Sequence, residues 1–175
     1  MTAQEIKSMI DHYGLVRHYD KLRITRNQDE AKANLETIKS AKQAIFSYLD
    51  EEASRAAEAQ LKKKATFEAI PGVVAITKAR EEWAEYRRAF NAEMETEDPI
   101  LPSAPKSDLT ALEARYPDAV FALKVKHQAL NSENYEISSI ASKAYDALCG
   151  GRDVAEVKEE YDQAHNDFVA RHLWD

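Results

Sequence analysis

Apolar side chains recur at three- and four-residue steps along most of the chain, and this spacing predicts helices rather than strands. Near the N-terminus, Ile6 and Ile10 lie on one face of a helix predicted over residues 2–12. Gly14 interrupts the pattern, which then continues from Leu15 to Ile24 and predicts a second short helix. No segment shows the strict alternation that is typical of a half-buried strand.

The longest predicted element is an unbroken helix over residues 27–70. Asn27 is predicted to cap this helix, because Asn is a preferred N-cap residue, and Pro71 with Gly72 ends it. At 1.5 Å per residue the helix would be roughly 65 Å long. An apolar row at four-residue steps marks one of its faces and comprises Ala53, Ala57, Leu61 and Ala65.

A second amphipathic helix is predicted after the turn, as far as Met94, with Trp83 and Phe90 on its apolar face. The short turn predicts an antiparallel, coiled-coil-like helical hairpin in which the alanine row receives these rings. If the chain forms a homodimer, the long helix is the expected contact. Trp83, Phe90 and Trp174 would be anchors for a partner wherever they are exposed.

Three prolines at three-residue spacing between residues 98 and 106 exclude a helix there and favour an extended path. This segment divides the chain into residues 1–97, with short helices and the long hairpin, a proline linker over 98–106, and a helical bundle over 107–175. A PxxP ligand for an SH3-type domain is the alternative interpretation of the prolines.

The C-terminal bundle is predicted to contain four helices. Ser107 is expected to cap the first, Pro117 to begin the second, and Asp153 with Glu156 to form a capping-box-like start of the last. The predicted fold class is therefore all-α, with a long helical hairpin followed by a small helical bundle.

Charge and cysteine content narrow the classes of function. The chain has 24 basic and 31 acidic residues, a net charge of −7, and the acidic excess follows residue 70. This balance disfavours broad contact with a phosphate backbone by the C-terminal part. A single cysteine, an N-terminus unlike a signal peptide and no run of 18 apolar residues predict a cytoplasmic protein without a membrane partner.

Two charged surfaces are candidates for contacts. The richest basic stretch, residues 17–26, has Tyr19 interleaved and could contact nucleic acid or a partner protein, although a solvated helix face has the same composition. The candidate basic residues are Arg17, Lys21, Arg23, Arg26, Lys62, Lys63 and Lys64. Four carboxylates fall within about 60° on the last helix at 100° per residue. This acidic ridge, which could mimic a phosphate backbone or simply aid solubility, comprises Asp153, Glu156, Glu160 and Asp167.

Catalytic and nucleotide-binding motifs are missing from the sequence, so we expect no enzymatic activity, no cofactor and no metal. Asp162 and His165 have the carboxylate-x-x-His spacing of helical di-metal sites, with His172 two turns beyond, but no other helix carries a matching motif. No nucleophile motif surrounds Cys149, which we interpret as a small core residue.

The last third of the chain contains Tyr-Pro-Asp-Ala-Val-Phe-Ala-Leu-Lys, Asn-Tyr-Glu-Ile-Ser, Lys-Ala-Tyr-Asp-Ala-Leu-Cys and a final His-Leu-Trp-Asp. It resembles uncharacterised small α-helical accessory proteins of bacteriophages and prophages. The resemblance implies a bacterial host cytoplasm and a host protein or complex as partner, and it carries over no site residue.

We therefore expect a non-enzymatic, protein-binding accessory protein, such as a phage-encoded inhibitor of a host defence protein that acts by steric or electrostatic occlusion. The alternative is a nucleic-acid-binding phage accessory protein that uses the basic stretch over residues 17–26.

Overall fold

The structure is a computed structural model and describes residues 1–96 and 99–172. Within these ranges the chain is predominantly helical, and its one sheet has two antiparallel strands. The predicted fold class, all-α with a long helix and a helical bundle, is confirmed. None of the described helices is both long enough and apolar enough to cross a membrane. By their contacts the residues form two compact units, Met1–Leu61 and Lys62–Asp175.

The first unit surrounds a small core of its own. Its elements are α1 (Ala3–Tyr13), β1 (Leu15–His18), β2 (Lys21–Ile24), α2 (Gln28–Ala33), α3 (Leu35–Ser40) and the first part of α4 (Lys42–Glu68). Thr2 and Glu5 form a capping box at the start of α1, close to the predicted boundary. Gly14 ends the helix at φ 58°, where an added Cβ would lie 2.2 Å from the Thr25 hydroxyl. The buried core comprises Ile6, Tyr13, Leu15, Ala31, Ile38, Ala41 and Ile45.

The short helix predicted from Leu15 to Ile24 is wrong, because this segment forms a β-hairpin. Leu15 is buried and Leu22 and Ile24 are half-buried on the side that packs on the core, so the segment does alternate between inside and outside. Arg17 is the fourth residue on the inner side. Because it is charged, the alternation of apolar and polar residues is not visible along the whole sequence of the hairpin.

The single helix predicted over residues 27–70 is also wrong. The structure divides it into α2, α3 and α4, with junctions at Asn34 and Ala41. The Asn34 side-chain amide donates to the Glu30 carbonyl and to the Tyr13 hydroxyl, each at 3.1 Å. Side-chain amides that bond nearby backbone groups compete with helical geometry, so Asn34 explains the first junction.

Asn27 does not cap the helix that follows it. Its backbone is left-handed, with φ 46°, and its side chain makes no capping hydrogen bond. The Asn27 amide instead donates to the His12 carbonyl at 2.8 Å, which links the start of α2 to the end of α1.

Helix α4 is the longest element, with 27 residues, which corresponds to roughly 40 Å. Every residue from Asp50 to Ala65 is exposed, including the predicted row of alanines and Leu61. This stretch has no buried face to stabilise it. Alanine-rich sequence and the Glu51–Arg55 ion pair at 3.3 Å favour the helix locally.

The second unit is the helical bundle. Its elements after α4 are α5 (Val73–Met94), α6 (Leu109–Arg115), α7 (Pro117–Asn131), α8 (Tyr135–Cys149) and α9 (Val154–His172). Helices α7, α8 and α9 pack on one another, and α5 packs against α6 and α7. The most deeply buried large side chains of this unit are Ile76, Val125, Leu148 and Val157.

Most helix ends in this unit follow the sequence prediction. Helix α7 begins at Pro117 as predicted, and the Asp153 carboxylate accepts from the Glu156 amide at 3.2 Å at the start of α9. The prediction for α6 is wrong by one residue, because Asp108 rather than Ser107 is the cap and accepts from the Ala111 amide at 2.9 Å.

The prediction that Trp83 packs on the alanine row is wrong, because those alanines are exposed and Trp83 makes a contact inside the second unit. The Trp83 indole N–H donates to the Ser107 carbonyl at 3.0 Å, so the end of the proline segment packs on α5. Residues 99–107 form no helix, as the prolines predict. The division predicted at residues 98–106 differs from the contact-based units and stays a prediction.

Candidate functional site

The β-hairpin of the first unit arranges the predicted basic stretch. Strands β1 and β2 pair in register, with Leu15 opposite Ile24 and His18 opposite Lys21. This register leaves Tyr19 and Asp20 as a two-residue loop. Because side chains alternate across a strand, the basic residues are divided between two faces of the hairpin rather than gathered in one patch.

Tyr19 is at the tip of this hairpin in an unusual conformation. Its φ is 55°, in the left-handed region, where two-residue hairpin loops ordinarily carry glycine, asparagine or aspartate. The residue is 83% exposed, and its ring is nearly perpendicular to that of His18, with centroids 4.8 Å apart. The aromatic ring is therefore displayed to solvent on a strained turn.

The outward face of the hairpin combines an apolar residue with cations. Val16, opposite Arg23, is 51% exposed, and His18, Lys21 and Arg23 are exposed beside it. Together with Tyr19 at the tip, these side chains form what we call the hairpin surface: Val16, His18, Tyr19, Lys21 and Arg23.

Arg17 lies on the inner side of the hairpin and has a structural role. Its guanidinium lies 4.6 Å from the centre of the Phe46 ring and pairs with the Asp50 carboxylate. Its Nε also donates to the Tyr19 carbonyl at 3.0 Å. Arg17 therefore supports the turn and is separated from Lys21 and Arg23. Arg26 follows β2, is exposed, and its amide donates to the Tyr13 carbonyl at 3.0 Å.

The three lysines predicted to extend the basic stretch belong to the second unit. Lys63 Nζ lies 2.9 Å from the Asp146 carboxylate, and Lys64 Nζ lies 3.7 Å from Glu68. The hydrogen bond to Asp146 raises the pKa of Lys63. Two of the three charges are thus engaged locally.

The acidic ridge is on one exposed side of α9, as its spacing predicts. Arg152 makes two hydrogen bonds to Glu160, at 2.7 and 2.9 Å, and approaches Glu156 at 3.6 Å. The hydrogen bond from Arg152 holds the pKa of Glu160 below its ordinary value of 4.5. The Asp153 carboxylate caps the helix, and the Asp167 carboxylate accepts a hydrogen bond from the Gln163 side-chain amide. Each carboxylate of the ridge therefore has a local partner.

The residues considered for metal binding do not converge. His165 stacks on Tyr161 with centroids 5.8 Å apart, whereas His172 Nδ1 lies 2.9 Å from the Phe168 carbonyl. Among residues 1–96 and 99–172, no three His, Cys, Asp or Glu side chains are placed to hold a metal ion. Cys149 is buried in the bundle core, as interpreted from sequence.

The aromatic anchors named from sequence have different positions. Trp83 and Phe90 lie half-buried along α5 with Tyr86 between them, and Trp174 lies outside the described residues. The sequence prediction overlooked Val16 and His18 as members of a surface. The signal that could have found them is the alternation of polar and apolar residues from 21 to 24, since a strand there needs a partner strand before the turn.

Comparison with protein-family models, with curated proteins and with solved structures finds no match to this chain. The geometry of the described residues is therefore what supports a function.

Proposed function

We propose that the protein is a non-enzymatic, protein-binding accessory protein and that the hairpin surface is its contact element. The observation that carries this proposal is Tyr19, which is 83% exposed on a left-handed turn. Such a backbone costs a non-glycine residue about 1–2 kcal/mol, and the ring gains no burial that would offset this cost. A strained, displayed aromatic residue is typical of a residue kept for binding.

The neighbours of Tyr19 suggest the chemistry of the partner. Val16 provides an apolar contact, and Lys21 with Arg23 provides two positive charges on the same face. A complementary surface would have a pocket for the phenol and acidic groups around it. From the resemblance to phage accessory proteins, the partner is a bacterial host protein, and the proposed role is inhibition of a host defence protein by covering its working surface.

The hairpin surface is a better candidate than the acidic ridge or a nucleic-acid site. The carboxylates of the ridge have local partners, notably Arg152, so they present less unbalanced charge. On the hairpin, the inward position of Arg17 leaves Lys21 and Arg23 as the cations of the outward face, with Arg26 beyond the strand. Two or three phosphate contacts give only weak nucleic-acid binding at physiological salt.

Capture of partners from bacterial lysate by immobilised protein tests this proposal. The variant Tyr19→Ser removes the displayed ring, and Tyr135→Ser is a matched control because Tyr135 is an 85% exposed tyrosine in the other unit. We expect the wild type and Tyr135→Ser to capture the same protein. The affinity of Tyr19→Ser for that protein should fall about 30-fold, as for a binding hot spot of ~2 kcal/mol.

Equal capture by all three proteins would contradict the proposal. Retention on DNA or RNA at low salt, weakening steeply as salt is added and lost in a Lys21→Gln/Arg23→Gln variant, would instead support the nucleic-acid alternative. Circular dichroism of each variant confirms that the compared proteins are folded.

A further inference from the structure

A partly enclosed cavity of about 260 Å³ lies in the second unit, among α4, α5, α7 and α8. Its floor includes Phe67 and Val73, each 2% exposed. Tyr145 forms a wall, and its ring meets Phe67 edge to face with centroids 5.2 Å apart. The cavity therefore reaches the aromatic edge of the bundle core.

Three lysines from three helices line this cavity: Lys64, Lys78 and Lys126. Two glutamates, Glu68 and Glu81, also line the cavity, so the lining has a net charge of +1 in a chain whose net charge is −7. This cavity is thus a local positive site on an acidic protein.

The lysines differ in their partners. Lys64 lies 3.7 Å from Glu68, whereas no carboxylate in residues 1–96 or 99–172 lies within 4.0 Å of Lys78 or Lys126. The Lys126 ammonium lies 5.4 Å from the centre of the Phe67 ring, directly at the floor. These two cations are available for an anion at the cavity.

The phenol of Tyr145 is a neutral group on the cavity wall. Burial, together with the neighbouring Cys149 thiol, raises the pKa of Tyr145 to about 12. The hydroxyl therefore keeps its proton at neutral pH and adds no negative charge that would repel an anion.

We propose that this cavity binds a small aromatic monoanion, whose ring lies against the half-buried Tyr145 and whose charged group contacts Lys78 and Lys126. One negative charge balances the net charge of the lining, whereas a polyanion would add charge beside Glu68 and Glu81. The volume, below that of ordinary drug-sized sites, suits a body of one or two fused rings.

Titration with naphthalene-1-sulfonate tests the inference, and uncharged naphthalene-1-methanol has the same ring system without the charge. Calorimetry and amide chemical shifts report the affinity and the place of binding. We expect one site for the sulfonate, with shifts centred on residues lining the cavity, and affinity at least about tenfold higher than for the alcohol, as for a charge-assisted hydrogen bond.

Paired variants show whether Lys78 and Lys126 determine the affinity for the sulfonate. Lys78→Gln/Lys126→Gln should lower the affinity for the sulfonate at least about tenfold, whereas Lys62→Gln/Lys106→Gln changes net charge equally outside the cavity lining and should leave it unchanged. Lys78→Gln alone, at an exposed position, provides the same comparison if the first variant fails to fold.

Three results would overturn the inference. If the sulfonate does not bind, the cavity is not a binding site for aromatic anions. If the alcohol binds with equal affinity, the cavity binds the ring system and does not select for negative charge. An equal loss of affinity in both double variants shows a general charge effect. None of these results bears on Tyr19, so the proposal of a protein partner is tested separately.

Discussion

Arg17 and Tyr19 are two positions apart in the same hairpin, and their side chains do different work. The Arg17 guanidinium pairs with Asp50, lies over Phe46 and donates to the Tyr19 carbonyl. Its charge is therefore used to hold the turn. The Tyr19 ring has no comparable contact with the core, since 83% of the residue is exposed. Neighbouring residues of one basic stretch thus separate into a supporting residue and a displayed one.

Replacing Tyr19 with asparagine should stabilise the first unit. Asparagine tolerates left-handed backbone, so Tyr19→Asn is expected to raise the free energy of unfolding by about 1 kcal/mol. Chemical denaturation measures the change, and Tyr135→Asn, at a similarly exposed tyrosine in α8, should change stability by less than about 0.5 kcal/mol. A loss of stability in Tyr19→Asn would mean that the ring contributes packing.

At the scale of elements, the helical periodicity of apolar residues predicted the helices that pack together in the bundle. Helices α7 and α9 begin at Pro117 and next to Asp153, two residues that signal helix starts in the sequence. Helix α5 begins next to Gly72, which with Pro71 was predicted to end the preceding helix. The β-hairpin was not predicted for two reasons. Arg17 breaks the apolar alternation of its inner face, and the Tyr19-Asp20 loop lacks the glycine or asparagine that marks such turns.

Tertiary contacts explain what the sequence could not show. The junction at Asn34 depends on a hydrogen bond to the Tyr13 hydroxyl, 21 residues away. The acidic ridge followed directly from helical spacing. Only one of its two ion pairs with Arg152 could be predicted from the sequence, because Glu156 is four residues from Arg152. The closer contact of Arg152 is with Glu160. The cavity lined by Lys64, Lys78 and Lys126 is formed by residues of four helices, so no single segment of the sequence indicates it.

The exposed part of α4 depends on local helix propensity, since residues 50–65 bury no face. Replacing Ala57 with glycine costs about 1 kcal/mol of helix stability, and this cost should accelerate amide exchange in residues 50–65 about fivefold. Hydrogen-exchange mass spectrometry measures the rates, with Ala57→Lys, which retains helix propensity, as the control. Unchanged exchange in Ala57→Gly would show that further contacts hold this stretch.

At the scale of the whole molecule, each unit has a hydrophobic core assembled from its own residues. Ile38, Ala31 and Leu15 belong to the first cluster, whereas Leu148 and Val125 belong to the second. The two proposed binding sites lie in different units. The hairpin surface is in Met1–Leu61, and the cavity lined by Lys64, Lys78 and Lys126 is in Lys62–Asp175. Separate cores imply that damage to one unit should leave the other largely folded.

Core truncations in the two units test this independence. Ile38, 3% exposed, and Leu148, 1% exposed, are both replaced by alanine, at an expected cost of about 2–5 kcal/mol each. We expect Ile38→Ala to lower the melting temperature of the hairpin amide signals and Leu148→Ala to lower that of the α7–α9 signals, each measured by NMR during heating. In the double variant, each set of signals should show only the shift caused by the substitution in its own unit, because substitutions at separate sites do not couple. A common shift of both sets of signals by either single variant would mean that the chain unfolds as one cooperative structure.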